Sequence, residues 1–239
     1  MILIGFRVQK VHYPMSLAIS KGIFTTIHLK DGVPEFLEAH LERLSLHREW
    51  VGIKTDLPSL YQLNKAIDKK NARQGSYRLK VILTPENYRI EITPYIPPLQ
   101  TPLSLVVEKI FPDALFNRIK PVDYHQRIAL KESALNKGFD DVLTIDPQGI
   151  ILEASMANIF WIQGKTLYTP DPALPILSGI YLSQLIKNGP FKCIEGEFTV
   201  SDICGDVYLC NALMHALPVK SVIFEHSQMN YKQHCDIVV

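Results

Sequence analysis

Two charged residues interrupt apolar, strand-like segments in the middle of the chain. Lys120 follows Ile119, and Glu153 follows the apolar residues at positions 150–152. Burying an amine or a carboxylate is costly without a compensating partner, so most such residues reach the surface instead. Pyridoxal phosphate (PLP) would compensate both, because a lysine holds this cofactor as a Schiff base and an acid keeps its ring nitrogen protonated. Spacing alone leaves both interpretations open, a cofactor site or two surface charges.

The sequence around these two residues favours the cofactor site. Four characteristic segments follow in order, at residues 119–124, 129–134, 140–143 and 153–160. Together they resemble the fold-type IV PLP enzymes, which comprise branched-chain aminotransferases, D-amino acid aminotransferases and aminodeoxychorismate lyases. The resemblance extends from Gly22 to Val219 and so covers most of the chain. It implies an α+β fold with a small N-terminal α/β domain, a larger C-terminal domain with an antiparallel strand core, and PLP between them.

The resemblance also implies which residues hold the cofactor. Lys120 would form the Schiff base and later move a proton, a role that suits a lysine whose pKa is lowered beside a cation. Glu153 would bond the pyridine nitrogen, and Tyr124 would lie near the phenolic oxygen. Arg43 would bind the phosphate together with the backbone of Gly179-Ile180, where a glycine and a helix N-terminus favour an anion.

Two short motifs favour the lyases over the aminotransferases. The first is Phe24-Thr25-Thr26, where aminotransferases usually carry Phe-Glu-Thr or Phe-Glu-Gly. The second is residues 210–214, in which Asn211 and Ala212 would contact the cofactor. The resemblance therefore implies a homodimeric aminodeoxychorismate lyase that forms 4-aminobenzoate and pyruvate for folate synthesis. Lys120 and Thr26 would be its catalytic residues, with Thr26 donating a proton to the departing enolpyruvate.

Three departures from the family pattern keep other interpretations open. The segment before Gly22 is reduced to residues 19–21, and His215 replaces a proline that is usual in the lyases. Pro85 stands about where D-amino acid aminotransferases have a carboxylate-binding arginine. A D-amino acid or branched-chain amino acid aminotransferase would share every cofactor residue. The third interpretation is a non-catalytic relative that acts as a binding or scaffold protein, for which the altered segment is the main argument.

Hydrophobic periodicity predicts the elements that position these residues. Strands are expected at 24–29, 77–83 and 88–94, and a further one begins at 103. Four helices are expected: one begins at Pro34, one spans 57–71, one ends at Gly138 and one begins at Gly179. Asp123 is expected to cap the helix that Gly138 ends. Between residues 142 and 168, four short strands joined by turns predict an antiparallel meander.

The proline-dense segment 94–102 predicts a domain boundary. We expect a small α+β domain at residues 1–97, a linker and first strand at 98–118, and a larger PLP-binding domain at 119–239. A length of 239 residues is ample for two such packed units.

Charge and composition argue against several classes of partner. The formal net charge is only +1 and no dense basic run occurs, so a small-molecule substrate is expected rather than nucleic acid or a membrane surface. No apolar stretch approaches the roughly 20 residues of a transmembrane helix, and the first residues do not resemble a signal peptide. Four cysteines without Cys-x-x-Cys spacing indicate reduced thiols in a cytoplasmic protein. The eight histidines predict no metal site, and His40 and His47 are expected on a solvated helix face.

Overall fold

The computed structural model describes residues 21–224 and 227–230. Its first sheet is antiparallel throughout and has the strand order β2-β1-β3-β4. Two helices pack against it and share its hydrophobic core. The elements of this unit are β1 (Ile23–Lys30), β2 (Val33–Pro34), α1 (Leu37–Val51), α2 (Leu60–Lys69), β3 (Ser76–Leu83) and β4 (Tyr88–Pro94).

The two faces of the central strands β1 and β3 have different surroundings. Most odd-numbered residues of β1 and β3, such as Ile27 and Leu79, are fully buried in the core that the sheet shares with the two helices. Successive side chains of a strand point to opposite faces, so the even-numbered residues face away from that core. Thr26 and Lys80 are cross-strand neighbours on this second face, which is one wall of the site described below.

The second sheet has nine strands in the order β10-β9-β8-β11-β12-β5-β6-β7, with β13 paired to β12. One helix packs on β6 and another on β11. A short 3₁₀ helix spans Val200–Asp202. The remaining elements are β5 (Leu103–Lys109), α3 (His125–Asn136), β6 (Asp141–Ile145), β7 (Ile151–Ala154), β8 (Asn158–Gln163), β9 (Thr166–Pro170), α4 (Ile180–Asn188), β10 (Lys192–Gly196), β11 (Asp206–Asn211), β12 (His215–Phe224) and β13 (Ser227–Asn230).

The α+β class is confirmed, and most strand pairs of the second sheet are antiparallel as expected. Three pairs are parallel: β5 with β12, β5 with β6, and β9 with β10. The continuous meander predicted for residues 142–168 is wrong. β7 and β8 follow one another in sequence and contact each other, yet they are not hydrogen-bonded neighbours. A tight corner, closed by the bond from the Ala154 N–H to the Ala157 carbonyl (2.8 Å), separates them, so the sheet curls.

Two predicted helix starts are wrong for local reasons. Pro34 belongs to β2, and α1 begins only at Leu37, after Phe36 has turned the chain with a left-handed φ of 51°. Asp123 does not cap α3, because its carboxylate binds the Lys21 amine (3.0 Å) and the imidazole of His125 instead.

Other local predictions have mixed outcomes. Gly138, with a φ of 81°, lies directly after the C-cap of α3 as expected. His40 and His47 share a face of α1, but the prediction of a solvated face is wrong, since both are buried. The cause is their position beside Leu44, which packs into the first core.

The first sheet ends at Pro94 and the second begins at Leu103, while the domain limits themselves stay a prediction. The segment around Lys120 crosses back to the first sheet. Ile119 packs into the first core, and Pro121 forms a bridge with Ile23. Within the described part of the chain, no helix combines the length and apolar character needed to cross a membrane.

Candidate active site

A cavity of about 440 Å³ lies between the even-numbered face of β1 and β3 and elements of the second sheet. Its size is in the range of small-molecule sites. All nine residues that the sequence nominated line it: Thr26, Arg43, Lys120, Tyr124, Glu153, Gly179, Ile180, Asn211 and Ala212. The fold therefore brings together residues from six separate parts of the chain, and their individual roles stay predictions.

Lys120 is held against β1 by backbone hydrogen bonds. The Phe24 N–H donates to the Lys120 carbonyl (2.8 Å), and the Val122 N–H donates to the carbonyl of Gly22 (2.9 Å). Gly22 is required here, because a Cβ at this position would lie 2.1 Å from the Leu83 carbonyl oxygen. The amine nitrogen lies 5.1 Å from the centre of the Phe24 ring. These contacts fix the point from which the lysine enters the cavity.

The environment of Lys120 lowers the pKa of its amine to about 7. Burial is the largest cause, and the positive charges of Arg43, Arg127 and Lys80 add to it, while Glu153 opposes it. About half of these amines are therefore neutral at neutral pH. A neutral amine is the form that attacks a carbonyl carbon or accepts a proton.

Glu153 lies on β7 and is only 3% exposed. Arg127 donates to its Oε1 over 2.5 Å, and the Leu177 N–H lies 3.3 Å from each carboxylate oxygen. Burial raises the pKa of Glu153, and the charge and hydrogen bond of Arg127 counteract that rise. Among the residues that the structure describes, Oε2 has only the long contact with Leu177, which leaves it able to accept a further N–H.

The sequence analysis missed Arg127. Its guanidinium is buried and also lies within 3.4–3.5 Å of the carbonyls of Asn117, Ala154 and Ser155. One signal could have found it: a buried carboxylate needs a cation, and α3 begins near Lys120. Arg127 and Ala134, seven residues apart, form the buried side of α3.

Another part of the cavity wall is formed by Arg43 and the start of α4. Arg43 donates to the Ser178 carbonyl (2.7 Å) and to the Thr25 hydroxyl (3.2 Å), and burial lowers its pKa to about 10. The Thr25 hydroxyl also bonds Nδ1 of His40 (2.7 Å), whose pKa burial lowers to about 2, so this imidazole is neutral. The hydrogen bonds between His40 and Thr25 and between Thr25 and Arg43 therefore orient the Arg43 guanidinium.

Gly179 is the N-cap residue of α4, and no side chain caps this helix. The free N–H groups of a helix N-terminus attract an anion. A Cβ on Gly179 would lie 1.8 Å from Oδ1 of Asn158, whose amide group donates to the Leu177 carbonyl (2.9 Å). Only glycine therefore fits between the helix start and β8.

Asn211 holds the shape of its loop. Its Oδ1 accepts from the N–H groups of Leu213 (2.9 Å) and Met214 (3.0 Å), and its Nδ2 donates to the Met156 carbonyl (3.1 Å). The carboxamide thus fixes the loop through bonds within the chain. Its predicted contact with a cofactor would use the second hydrogen on Nδ2.

Two further cations on the cavity wall were missed from the sequence, Arg78 and Lys80. Lys80 lies 4.2 Å above the Phe24 ring, and Arg78 lies 5.7 Å from the ring of Tyr95. They alternate with the buried residues of β3, and this alternation was the available signal. Pro85 is not among the lining residues, and its carbonyl accepts from the hydroxyl of Thr55 (3.0 Å).

Comparison with known proteins identifies the fold family. The family model described as amino-transferase class IV matches residues 22–222. The chain belongs to this family. An aminodeoxychorismate lyase of Bacillus subtilis is 21% identical over 88% of this chain and 79% of its own length. A Rickettsia typhi protein named as a probable branched-chain-amino-acid aminotransferase is 28% identical over 81% of this chain and 74% of its own length.

A solved structure supports the same fold. It is a hypothetical aminotransferase from Mycobacterium tuberculosis in its PLP-bound form, with a TM-score of 0.75 and 19% identity over 92% of this chain and 87% of that one. Proteins named as aminodeoxychorismate lyases and proteins named as branched-chain aminotransferases are both among the relatives of this chain. The family and the fold are thereby established.

The cavity of this class IV protein fits PLP. Lys120 offers an amine with a lowered pKa, and Glu153 offers a buried carboxylate oxygen. Arg43 and the uncapped N-terminus of α4 after Gly179 provide the positive charge that a phosphate needs. A lysine, a buried acid and an anion-binding helix start therefore line the same cavity.

Proposed function

We propose that this protein is a PLP-dependent aminodeoxychorismate lyase that forms 4-aminobenzoate and pyruvate. The observation that carries the proposal is the charge of the cavity around Thr26. Among the described lining residues, five are cations (Arg43, Arg78, Lys80, Lys120 and Arg127) and one, Glu153, is an acid. Arg43 and Arg127 have partners of their own, which leaves Arg78 and Lys80 to meet the two carboxylates of the substrate.

Bound PLP would supply an electron sink for the carbon that carries the substrate amine. Lys120 would hold the cofactor and, once released, would take the proton from that carbon with its amine, whose pKa of about 7 suits a base. Glu153, ion-paired with Arg127, would hold a proton on the ring nitrogen. Thr26, half-buried on the cavity wall, would give a proton to the departing enolpyruvate.

The competing activity is amino transfer by a D-amino acid or branched-chain amino acid aminotransferase. It would use the same Lys120, Glu153 and Arg43, and aminotransferase relatives match much of the chain. The difference lies at Thr26 and in the loop of Asn211, which both line the cavity. The scaffold interpretation is disfavoured, because a non-catalytic protein has no need of a buried lysine whose pKa is lowered to about 7.

We further propose a cytoplasmic homodimer, as the family resemblance implies. The described cysteines, Cys193, Cys204 and Cys210, are free thiols, in keeping with a reducing compartment. Light scattering is expected to give twice the chain mass of 27.2 kDa. A mass of one chain at every concentration, with full activity, would contradict the dimer.

The test of the proposed reaction is incubation of the purified protein with enzymatically made aminodeoxychorismate and no keto acid. We expect 4-aminobenzoate and pyruvate in equal amounts. Thr26→Val, which removes the hydroxyl at nearly constant volume, should slow the reaction at least about 100-fold, the usual contribution of a general acid. The matched control is Thr93→Val on the exposed side of β4, which should keep the full rate.

Both Thr26→Val and the parent protein should retain the visible absorbance of lysine-bound PLP. Rapid conversion of 2-oxoglutarate to glutamate, with no 4-aminobenzoate formed, would overturn the lyase in favour of the aminotransferase. A protein that shows neither reaction and takes up no PLP would favour the scaffold.

A further inference from the structure

Two histidines and a glutamate meet beside the cavity, although they are far apart in sequence. Nδ1 of His28 lies 2.9 Å from Oε2 of Glu35, and Nε2 of His215 lies 2.8 Å from the same oxygen. The three atoms all lie within 4.8 Å of one another. None of these residues belongs to the proposed catalytic machinery.

The spacing of these atoms is close to that of a metal site. Zinc binds imidazole nitrogen and carboxylate oxygen at about 2.0–2.2 Å with tetrahedral angles, which puts neighbouring ligand atoms about 3.3 Å apart. In the structure, the Glu35 oxygen is closer than that to each imidazole, and the two imidazole nitrogens are within 4.8 Å of each other. For an ion to fit, the Glu35 oxygen would move back by about 0.5 Å from each imidazole, and the two imidazole nitrogens would close to about 3.3 Å from each other.

The surroundings of the cluster support ligand roles. Nε2 of His28 lies 2.8 Å from the Ser76 hydroxyl, an outer partner of the kind that fixes a ligating imidazole. The Tyr181 ring stacks on His215 with centroids 5.1 Å apart, which holds this imidazole in place. The side chain of His28 is 6% exposed, whereas that of His215 is 41% exposed, which leaves a path for an ion.

The chemistry of the three ligands selects the class of ion. Two imidazoles and one carboxylate suit zinc and neighbouring transition metals, whereas calcium and magnesium require mostly oxygen ligands. In the absence of an ion, each imidazole can donate its N–H to Glu35, so the three side chains also have partners without a metal. Binding then requires a change of tautomer at both histidines. At His28, Ser76 accommodates this change by becoming an acceptor instead of a donor.

We propose that His28, Glu35 and His215 bind one divalent transition-metal ion of the zinc class, with an open fourth position for water. His28 follows Thr26 on the same face of β1, and His215 follows the cavity-lining Leu213. The ion would therefore join the first sheet to the start of β12 next to the cavity mouth. Its role is to hold the two walls at a fixed separation, independently of which reaction the cavity performs.

The test is calorimetric titration of the purified, chelator-treated full chain with zinc chloride in a phosphate-free buffer, with and without added PLP. We expect one ion per chain and a thermal unfolding midpoint that rises with zinc. Glu35→Gln and His215→Asn should each weaken binding by at least about 100-fold, beyond the 10- to 100-fold typical of losing an outer partner. Asparagine is chosen because it tolerates the left-handed φ of 56° at this position.

Ser76→Ala should weaken binding by about 10- to 100-fold, as the loss of an outer partner does. Two controls test other zinc ligands on the described surface. His125→Gln removes an exposed imidazole that contacts Asp123, and Cys204→Ser removes a partly exposed thiol. Both controls should bind zinc as the parent does, and cobalt bound in place of zinc should show the visible bands of a tetrahedral ion without sulfur ligands.

Circular dichroism of each variant without metal establishes that it is folded. Undiminished zinc binding by folded Glu35→Gln and His215→Asn would overturn the proposal, as would loss of binding in either control alone. Absence of any zinc binding by the parent protein would equally contradict it and would leave the cluster as a hydrogen-bonded contact between the two walls.

Discussion

Replacing Lys120 by methionine should make the cofactor-free protein more stable at neutral pH. The pKa of this amine falls from an ordinary value of 10.5 to about 7 in the folded protein, chiefly through burial. A lowered lysine pKa means that the folded state disfavours the charged amine. The resulting loss of unfolding free energy is largest below pH 7 and disappears above pH 10.5. By linkage, this cost to the folded state amounts to roughly 4 kcal/mol at pH 7 and roughly 1 kcal/mol at pH 9.5.

Urea unfolding of cofactor-free protein measures this difference directly. Lys120→Met should exceed the parent in unfolding free energy by roughly 4 kcal/mol at pH 7, and the gap should narrow as the pH rises to 9.5. Lys69→Met, at an exposed position on α2, is the matched control and should change stability little at either pH. A Lys120→Met protein that is less stable than the parent at pH 7, or a gap that does not depend on pH, would refute the reasoning.

The other predictions concern the residues around Lys120. Glu153→Gln should retain PLP but lose about 10- to 100-fold in kcat/KM, since a charge-assisted hydrogen bond is lost; a rate near that of the parent would contradict its role. Arg127→Met should lower the unfolding free energy by about 3–5 kcal/mol by leaving Glu153 buried without a cation, and adding Glu153→Leu should restore most of it. Gly179→Ala should cost roughly 1–3 kcal/mol and weaken PLP retention, because its Cβ would meet Asn158; Asn158→Ala should relieve the effect.

Much of the site could be predicted because the chemistry marks it in the sequence. Lys120 and Glu153 interrupt apolar segments, and the family motifs around them supplied Arg43 and Gly179. The alternation of β1 and β3 was equally readable, since one face of each strand is mostly apolar. These are local signals, and each depends on residues within a few positions of one another.

Apart from Arg78 and Lys80, whose signal was local, the features that were missed depend on contacts across the fold. Arg127 acquires its role only because α3 packs near β7 and brings it to Glu153, 26 positions away. Glu35 contacts both His28 and His215, and His215 lies 180 positions from Glu35 in the sequence. No short spacing of ligand residues in the sequence therefore predicts the cluster. The parallel place of β5 between β12 and β6 is likewise a matter of topology. Pattern within a segment does not specify which distant segment pairs with it.

The central claim is that Lys120 is the residue that holds PLP in this cavity. Borohydride reduction of the protein incubated with PLP, followed by peptide mapping, tests it most directly. We expect the label on Lys120, because the pKa of its amine is about 7. Backbone hydrogen bonds of Lys120 and Val122 also fix this segment against β1. A label on Lys80, which lines the same cavity, on Lys131 of α3, or on no lysine at all would contradict the account.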